Sequence, residues 1–124
     1  MHEGMAGKLV IKKSRFFAHL YIIDDVSEID SILNKHRSIY AKAHHHCYAL
    51  QIKKDTNQLI QDSSDDGEVG CPGQILLQIL QKHNLESHAL VVSRIFGGIK
   101  LGVGGVSRAF RQAGEGVVQH YKQR

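Results

Sequence analysis

The 124-residue sequence has only two cysteines, one proline and no long apolar run. Cys47 and Cys71 lie in different contexts and lack the spacing of a metal or redox pair, so we expect two reduced thiols. No apolar run approaches the ~18 to 20 residues that span a bilayer, and no apolar signal core is found in the amino-terminal residues MHEGMAGK. We therefore expect a cytoplasmic protein that makes no membrane contact.

Charge and length narrow the classes of function. The net charge of +4 and the pI near 9.2 favour acidic partners mildly, although an ordinary basic surface fits them equally well. A chain of this length predicts a single domain, residues 1–124, too short for separate cofactor and substrate domains. No stretch has the pattern of an interface, so the oligomeric state stays open.

Hydrophobic periodicity predicts the order of the elements. We expect extended segments at Lys8 to Lys13 and Ser14 to Ile23, a helix from Ser27 to Ser38, and a hairpin from His46 to Ile60 with its turn at Lys54 to Asn57. Then follow a helix from Pro72 to about Asn84, a strand buried on both faces at Ala89 to Phe96, and a last helix. This order predicts an α+β two-layer sandwich, a mixed β-sheet with its helices packed on one face.

The segment Phe96 to Gly105, FGGIKLGVGG, stands out because it contains five glycines between a predicted strand and a predicted helix. It lacks the GK[ST] ending of a Walker A loop. Its GxGxxS pattern, beginning at Gly102, is not followed by the acidic residue that a dinucleotide site needs. Two interpretations stay open: a backbone cradle for an anion, or a tight turn that lets the helix pack on the sheet.

The anion interpretation assigns a set of cations and glycines to one surface. Backbone amides at a helix amino terminus, together with nearby basic side chains, suit a phosphate or carboxylate. The candidate residues are Arg94, Gly97, Gly98, Lys100, Gly102, Gly104, Gly105, Arg108 and Arg111.

An acidic segment, Asp62 to Gly73 (DSSDDGEVGCPG), invites a metal interpretation. It begins like an EF-hand, but its twelfth position is Gly73 rather than a glutamate, which excludes that motif. Asp65, Asp66 and Glu68 could hold Mg²⁺ opposite the glycine segment, or they could cap the helix at Pro72 and pair with nearby cations. The second alternative is favoured.

The run His44, His45, His46 and Cys47 is a weaker candidate for a second site. On a strand, His45 and Cys47 share one face, which provides two ligands rather than the three or four of a zinc site. Cys47 could act as a nucleophile assisted by His45, although no orienting acid or oxyanion hole can be named. Ordinary strand residues with a partly buried cysteine are the favoured interpretation.

Four motifs in order resemble the Impact amino-terminal domain family, also called YigZ-like. They are KSRFFAH from Lys13, AHHHCYAL from Ala43, SDDGE from Ser64 and RIFGGIKLGVGG from Arg94, the last followed by Arg108. The resemblance covers almost the whole chain, and it implies a fold like the second domain of ribosomal protein S-five. The sequence departs from the family pattern at Val69, Cys71 and Val103, where proline and two threonines are usual.

The leading hypothesis is a non-catalytic, translation-associated domain that binds RNA or a ribosome-associated protein through the cations around the glycine segment. It requires no cofactor. One alternative is a hydrolase or transferase that acts on a phosphorylated small molecule with Mg²⁺ on the acidic segment. Another is a regulatory module that binds protein through its sheet.

Overall fold

The computed structural model describes all residues, 1–124. It contains five strands: β1 (His2–Ile11), β2 (Ser14–Ile22), β3 (His45–Lys53), β4 (Leu59–Ser64) and β5 (Ser87–Ile95). Its three helices are α1 (Glu28–Ile39), α2 (Pro72–Lys82) and α3 (Gly102–Lys122). The predicted α+β class and the order of elements are confirmed, and the first strand begins earlier than predicted. None of the helices combines the length and apolar character that a bilayer crossing requires.

The strands form one sheet in the order β1-β2-β5-β3-β4. Because β5, the last strand in sequence, inserts between β2 and β3, every neighbouring pair is antiparallel. The sheet therefore differs from the mixed sheet that was expected. The insertion also brings residues from the middle and the end of the chain side by side, with His45 opposite Arg94.

Helices cover both faces of the sheet, rather than the single face that the sequence predicted. On one face, α2 and α3 pack against alternate strand residues such as Phe16, Leu20 and Leu90. On the other, Ile29 and Ile32 of α1 pack against a smaller apolar set: Tyr21, Ile23, Leu50, Ile52, Ala89 and Val91. The cause is that the central strands are apolar on both faces, and both faces must be removed from water. The molecule thus has a third layer made of α1 alone.

Candidate functional site

Three segments that are distant in the sequence meet in one cleft of about 590 Å³, which we call the loop cleft. It forms at the end of the sheet where β3 begins, β5 ends and α3 begins, and the acidic segment closes it from the side of α2. The lining residues are His44, His45, Glu68, Val69, Arg94, Phe96, Lys100, Leu101, Gly102, Val103 and Val106.

The glycine segment divides into a loop and a helix start. Phe96 to Leu101 is the loop, whereas Gly102, Gly104 and Gly105 belong to the first turn of α3. No side chain caps this turn, so its backbone amides donate no hydrogen bond to a capping side chain. The helix dipole places partial positive charge at this turn, beside Lys100.

The two interpretations of the glycine segment apply to different glycines. At Gly97, an added Cβ would lie 2.1 Å from the carbonyl carbon of Lys13, so this glycine is needed for close packing on the β1–β2 turn. Gly98 and Gly102 have φ angles of +88° and +72°, and nothing lies within 4 Å of a Cβ added at either, so they are needed for the path of the backbone. Of these three, only Gly102 lines the loop cleft.

Arg94 forms a buried ion pair at the floor of the loop cleft. Its Nη1 donates to Oε2 of Glu68 at 3.0 Å, and the side chains are only 9% and 4% exposed. Glu68 Oε1 also accepts from the amide of Val69 at 3.0 Å. The arginine Nε is buried without a hydrogen-bond partner. Arg94 is therefore a fixed part of the cleft floor rather than a surface cation, and Glu68 is occupied by it.

Asp65 and Asp66 of the acidic segment organise the loop itself. Asp65 Oδ1 accepts from the amide of Gly73 at 2.8 Å in the first turn of α2, and Asp66 Oδ2 accepts from the amide of His46 at 2.8 Å. This is the capping and pairing arrangement that the sequence favoured over a metal. No group of three or more His, Cys, Asp or Glu side chains in the structure is placed to hold a metal ion.

His45 and Cys47 have different surroundings. The backbone carbonyl of Asp66 can only accept, so His45 donates Nδ1–H to it at 2.8 Å and keeps a lone pair on Nε2 when neutral. Cys47 is fully buried in the core under α2 and α3, and its Sγ donates to the carbonyl of Asp65. Burial, and then the charge of Glu68, raise the pKa of the Cys47 thiol well above its usual value. The structure therefore does not support the nucleophile interpretation.

The predicted cations do not converge on one surface. Lys100 is exposed, lines the loop cleft and forms no ion pair. Arg108 lies on the other side of Leu101, in a smaller cavity of about 240 Å³ with Lys12. Arg111 is turned towards α2, where it donates to Gln78 at 3.2 Å. Lys100 is thus the free cation of the loop cleft, with Arg94 beneath it.

Sequence reasoning missed the apolar wall of the loop cleft. Phe96, Val69 and Val103 are 49%, 49% and 61% exposed, and all three line the same cleft. Phe96 also lies over the Arg94 guanidinium, which is 5.7 Å from the ring centroid. The available signal was that Val69 and Val103 stand in loop and helix-start positions, outside the periodic core pattern. The prediction that Phe96 belongs to a strand buried on both faces was wrong, because β5 ends at Ile95 and Phe96 begins the loop.

A buried polar network behind the cleft was also missed. His36 Nε2 lies 2.9 Å from the Tyr21 hydroxyl, and Ser93 Oγ bridges His36 Nδ1 and His46 Nδ1 at 2.8 and 2.7 Å. Burial, and then the neighbouring His19, lower the pKa of His36 to about 3. His36 lies within the predicted first helix, but its partners Tyr21 and Ser93 lie far away in the sequence.

The match to known families covers nearly the whole chain. The family model of the Impact N-terminal domain matches residues 12–118. The chain is 39% identical over 109 residues to IMPACT family member YvyE of Bacillus subtilis, covering 87% of this chain and 49% of the relative. It is 37% identical over 116 residues to IMPACT family member YigZ of Escherichia coli, covering 91% and 54%. The chain therefore spans about half the length of these relatives.

Solved structures agree with the sequence relatives. A crystal structure described as that of a hypothetical protein matches with a TM-score of 0.82 and 32% identity, covering 93% of this chain and 56% of the other. The structure of the two-domain translational regulator Yih1 matches with a TM-score of 0.63 and 28% identity, covering 94% and 46%. Residues 12–118, which the family model matches, include all four sequence motifs, the residues that line the loop cleft and most of the sheet. By sequence and by fold, this chain belongs to the Impact N-terminal domain family.

Proposed function

We propose that this chain is a non-catalytic domain of translational control that binds RNA, or an RNA-containing particle, at the loop cleft. The observation that carries this proposal is the position of Lys100. It is an exposed cation without an ion pair, beside an uncapped helix start and above the Arg94 guanidinium. Fixed positive groups of this kind bind phosphate, which is the group that RNA presents along its whole length.

Membership of the family and the likeness to a translational regulator support a role in translational control. The basic composition supports an acidic partner. The acidic side chains in the loop cleft do not cancel the effect of Lys100, because Glu68 is already paired with Arg94. The enzyme alternative gains no support from the acids of the segment, since each accepts hydrogen bonds within the protein.

Salt dependence of RNA affinity tests the proposal. Affinity of the wild-type chain for short single-stranded RNA should fall steeply as salt rises, because bound phosphates release counterions. Lys100→Ala should weaken binding across sequences and reduce the slope of log K against log salt by about one. Fluorescence anisotropy of labelled RNA at several salt concentrations measures both quantities.

Lys54→Ala is the matched control. Lys54 is also exposed and unpaired, but it lies in the turn between β3 and β4, at the opposite end of β3 from the loop cleft. It should leave both affinity and slope unchanged. Equal affinity at low and high salt would contradict the proposal, as would equal effects of the two substitutions. Retention of a protein partner without any RNA response would favour the protein-binding alternative.

A further inference from the structure

The loop cleft combines two kinds of surface that a phosphate-binding groove alone would not need. One end is cationic, with Lys100 beside the first turn of α3. The other is apolar, with Phe96 and Val69 each about half exposed to solvent. Exposed apolar side chains gathered around a concave surface are a common feature of ligand sites. The volume of about 590 Å³ is within the range of small-molecule sites.

Arg94 is independent evidence that the cationic end is built for a ligand. Its side chain is nine-tenths buried and lines the loop cleft, yet its Nε–H has no partner in the structure. A guanidinium has five N–H donors, and only one of those in Arg94 makes a hydrogen bond, the one to Glu68. The guanidinium therefore keeps unpaired N–H groups next to the loop cleft, and an acceptor bound there can add hydrogen bonds to it.

Phe96 supplies a different contact. The Arg94 guanidinium lies 5.7 Å from the centre of its ring, which holds that side of the ring in the cleft floor. Because the side chain is still half exposed, a flat ligand can contact the remaining surface. Stacking of a nucleobase on an aromatic side chain is the usual way in which proteins hold unpaired nucleotides.

We propose that the loop cleft binds one phosphorylated nucleotide, with its phosphate at Lys100 and the first turn of α3 and its base against Phe96. This inference rests on the proposed function and deepens it, because it names the part of an RNA that enters the cleft. A free nucleoside monophosphate and the phosphorylated end of a strand offer the same chemistry. The cleft binds both through the same groups.

Direct titration with nucleotide fragments tests the inference. Adenosine monophosphate, adenosine and inorganic phosphate are added separately to the whole chain at low salt, and affinity is measured by calorimetry or by NMR. The monophosphate should bind about tenfold more tightly than either fragment, because it engages both ends of the cleft. Equal affinity for adenosine and adenosine monophosphate would overturn the inference.

Two substitutions separate the two ends. Phe96→Ala should weaken adenosine monophosphate about tenfold while leaving phosphate binding unchanged, and Lys100→Ala should weaken both ligands. Leu59→Ala, which truncates a similarly exposed apolar side chain on β4, is the control for Phe96. Since Phe96 and Lys100 are exposed, both variants should fold, and thermal unfolding verifies this. An unchanged affinity of folded Phe96→Ala for the monophosphate would overturn the inference.

A pair of oligonucleotides identifies the source of the nucleotide. Tighter binding of a 5′-phosphorylated strand than of its 5′-hydroxyl counterpart, with competition by adenosine monophosphate, supports recognition of a strand end. Binding of the free nucleotide without binding of either strand supports the inference for a free ligand and contradicts the proposed RNA function. Salt-dependent RNA binding that Phe96→Ala leaves unchanged has the opposite meaning: the RNA function stands, and the nucleotide site is refuted.

Discussion

At the scale of single residues, Arg94 connects the architecture of the loop cleft with its chemistry. It pairs with Glu68 across 3.0 Å and lies near the rings of Phe16 and Phe96, so it ties the end of β5 to the acidic segment and to the glycine segment. Its charge is largely neutralised by the pair. Lys100 is consequently the residue whose loss should change ligand binding most without changing the fold.

Replacement of Arg94 should therefore be a stability defect first. Arg94→Met leaves Glu68 as an uncompensated buried charge, which costs about 3–5 kcal/mol of unfolding free energy. Glu68→Met combined with Arg94→Met should recover much of that loss, because an apolar pair avoids the unpaired charge. Urea unfolding of the two variants measures the difference. If Arg94→Met alone were as stable as the wild type, the ion pair would contribute little to the stability of the fold.

The sequence could identify these residues but not their relationship. Arg94 and Lys100 were both predicted as anion-binding cations, and Glu68 was predicted among possible metal or loop-organising acids. The pairing joins residues 26 positions apart, and it depends on β5 inserting between β2 and β3. Local patterns carry no information on such an insertion, so a buried pair and a free cation look alike in the sequence.

At the scale of elements, glycines have different roles in the loop before α3 and in α3 itself. Gly97 packs against the β1–β2 turn, whereas Gly116 lies on the exposed side of α3 with nothing within 4 Å of an added Cβ. Gly97→Ala should cost about 3 kcal/mol or more, because backbone atoms on both sides would have to move. Gly116→Ala should instead stabilise the chain by up to about 1 kcal/mol through helix propensity.

Thermal or urea unfolding of the two glycine variants provides the comparison. Because the two substitutions are chemically identical, changes in unfolding free energy of opposite sign isolate the effect of local packing. Similar effects of the two would contradict the assignment of Gly97 to close packing.

The helix α1 is held to the sheet by polar as well as apolar contacts. His36 is fully buried, and its folded-state pKa of about 3 compares with 6.5 for an unperturbed histidine. The unfolded chain therefore takes up a proton below pH 6.5 that the folded chain takes up only near pH 3. The network stabilises the fold fully above pH 6.5, and this contribution falls as the pH drops towards 3.

Comparison of His36→Gln with the wild type measures this contribution. Between pH 7 and pH 5, the wild type should lose about 2 kcal/mol more unfolding free energy than the variant, since glutamine does not titrate. His19, His46 and Lys35 lie near position 36 in both proteins, so contributions that do not involve His36 itself largely cancel in the difference. Equal losses in urea unfolding would contradict a neutral, buried His36.

Element type was predictable where one hydrophobic period dominates. Pro72 at the start of α2, and the apolar run of β5, were sufficient to place those elements. The side of the sheet that α1 covers could not be predicted, because a helix with one apolar face can pack on either side. The buried strand β5 did contain the relevant signal: a strand apolar on both faces requires cover on both.

At the scale of the whole molecule, one sheet end collects three of the four family motifs into a single cleft. AHHHCYAL supplies the start of β3, SDDGE the loop after β4, and RIFGGIKLGVGG the end of β5 and the start of α3. Their resemblance to one family was visible in the sequence and is confirmed by the family match over residues 12–118. What the cleft binds follows from its groups rather than from the fold, since one fold serves many functions.

The most direct test of RNA binding at the loop cleft is to map the contact surface by NMR. Short single-stranded RNA is titrated into isotope-labelled protein at low salt, and backbone amide shifts are followed residue by residue. The account predicts shifts concentrated at Phe96 to Gly105 and Asp66 to Gly70, reversed by added salt and strongly reduced in Lys100→Ala. Shifts confined to the α1 face, or none at all, would contradict it.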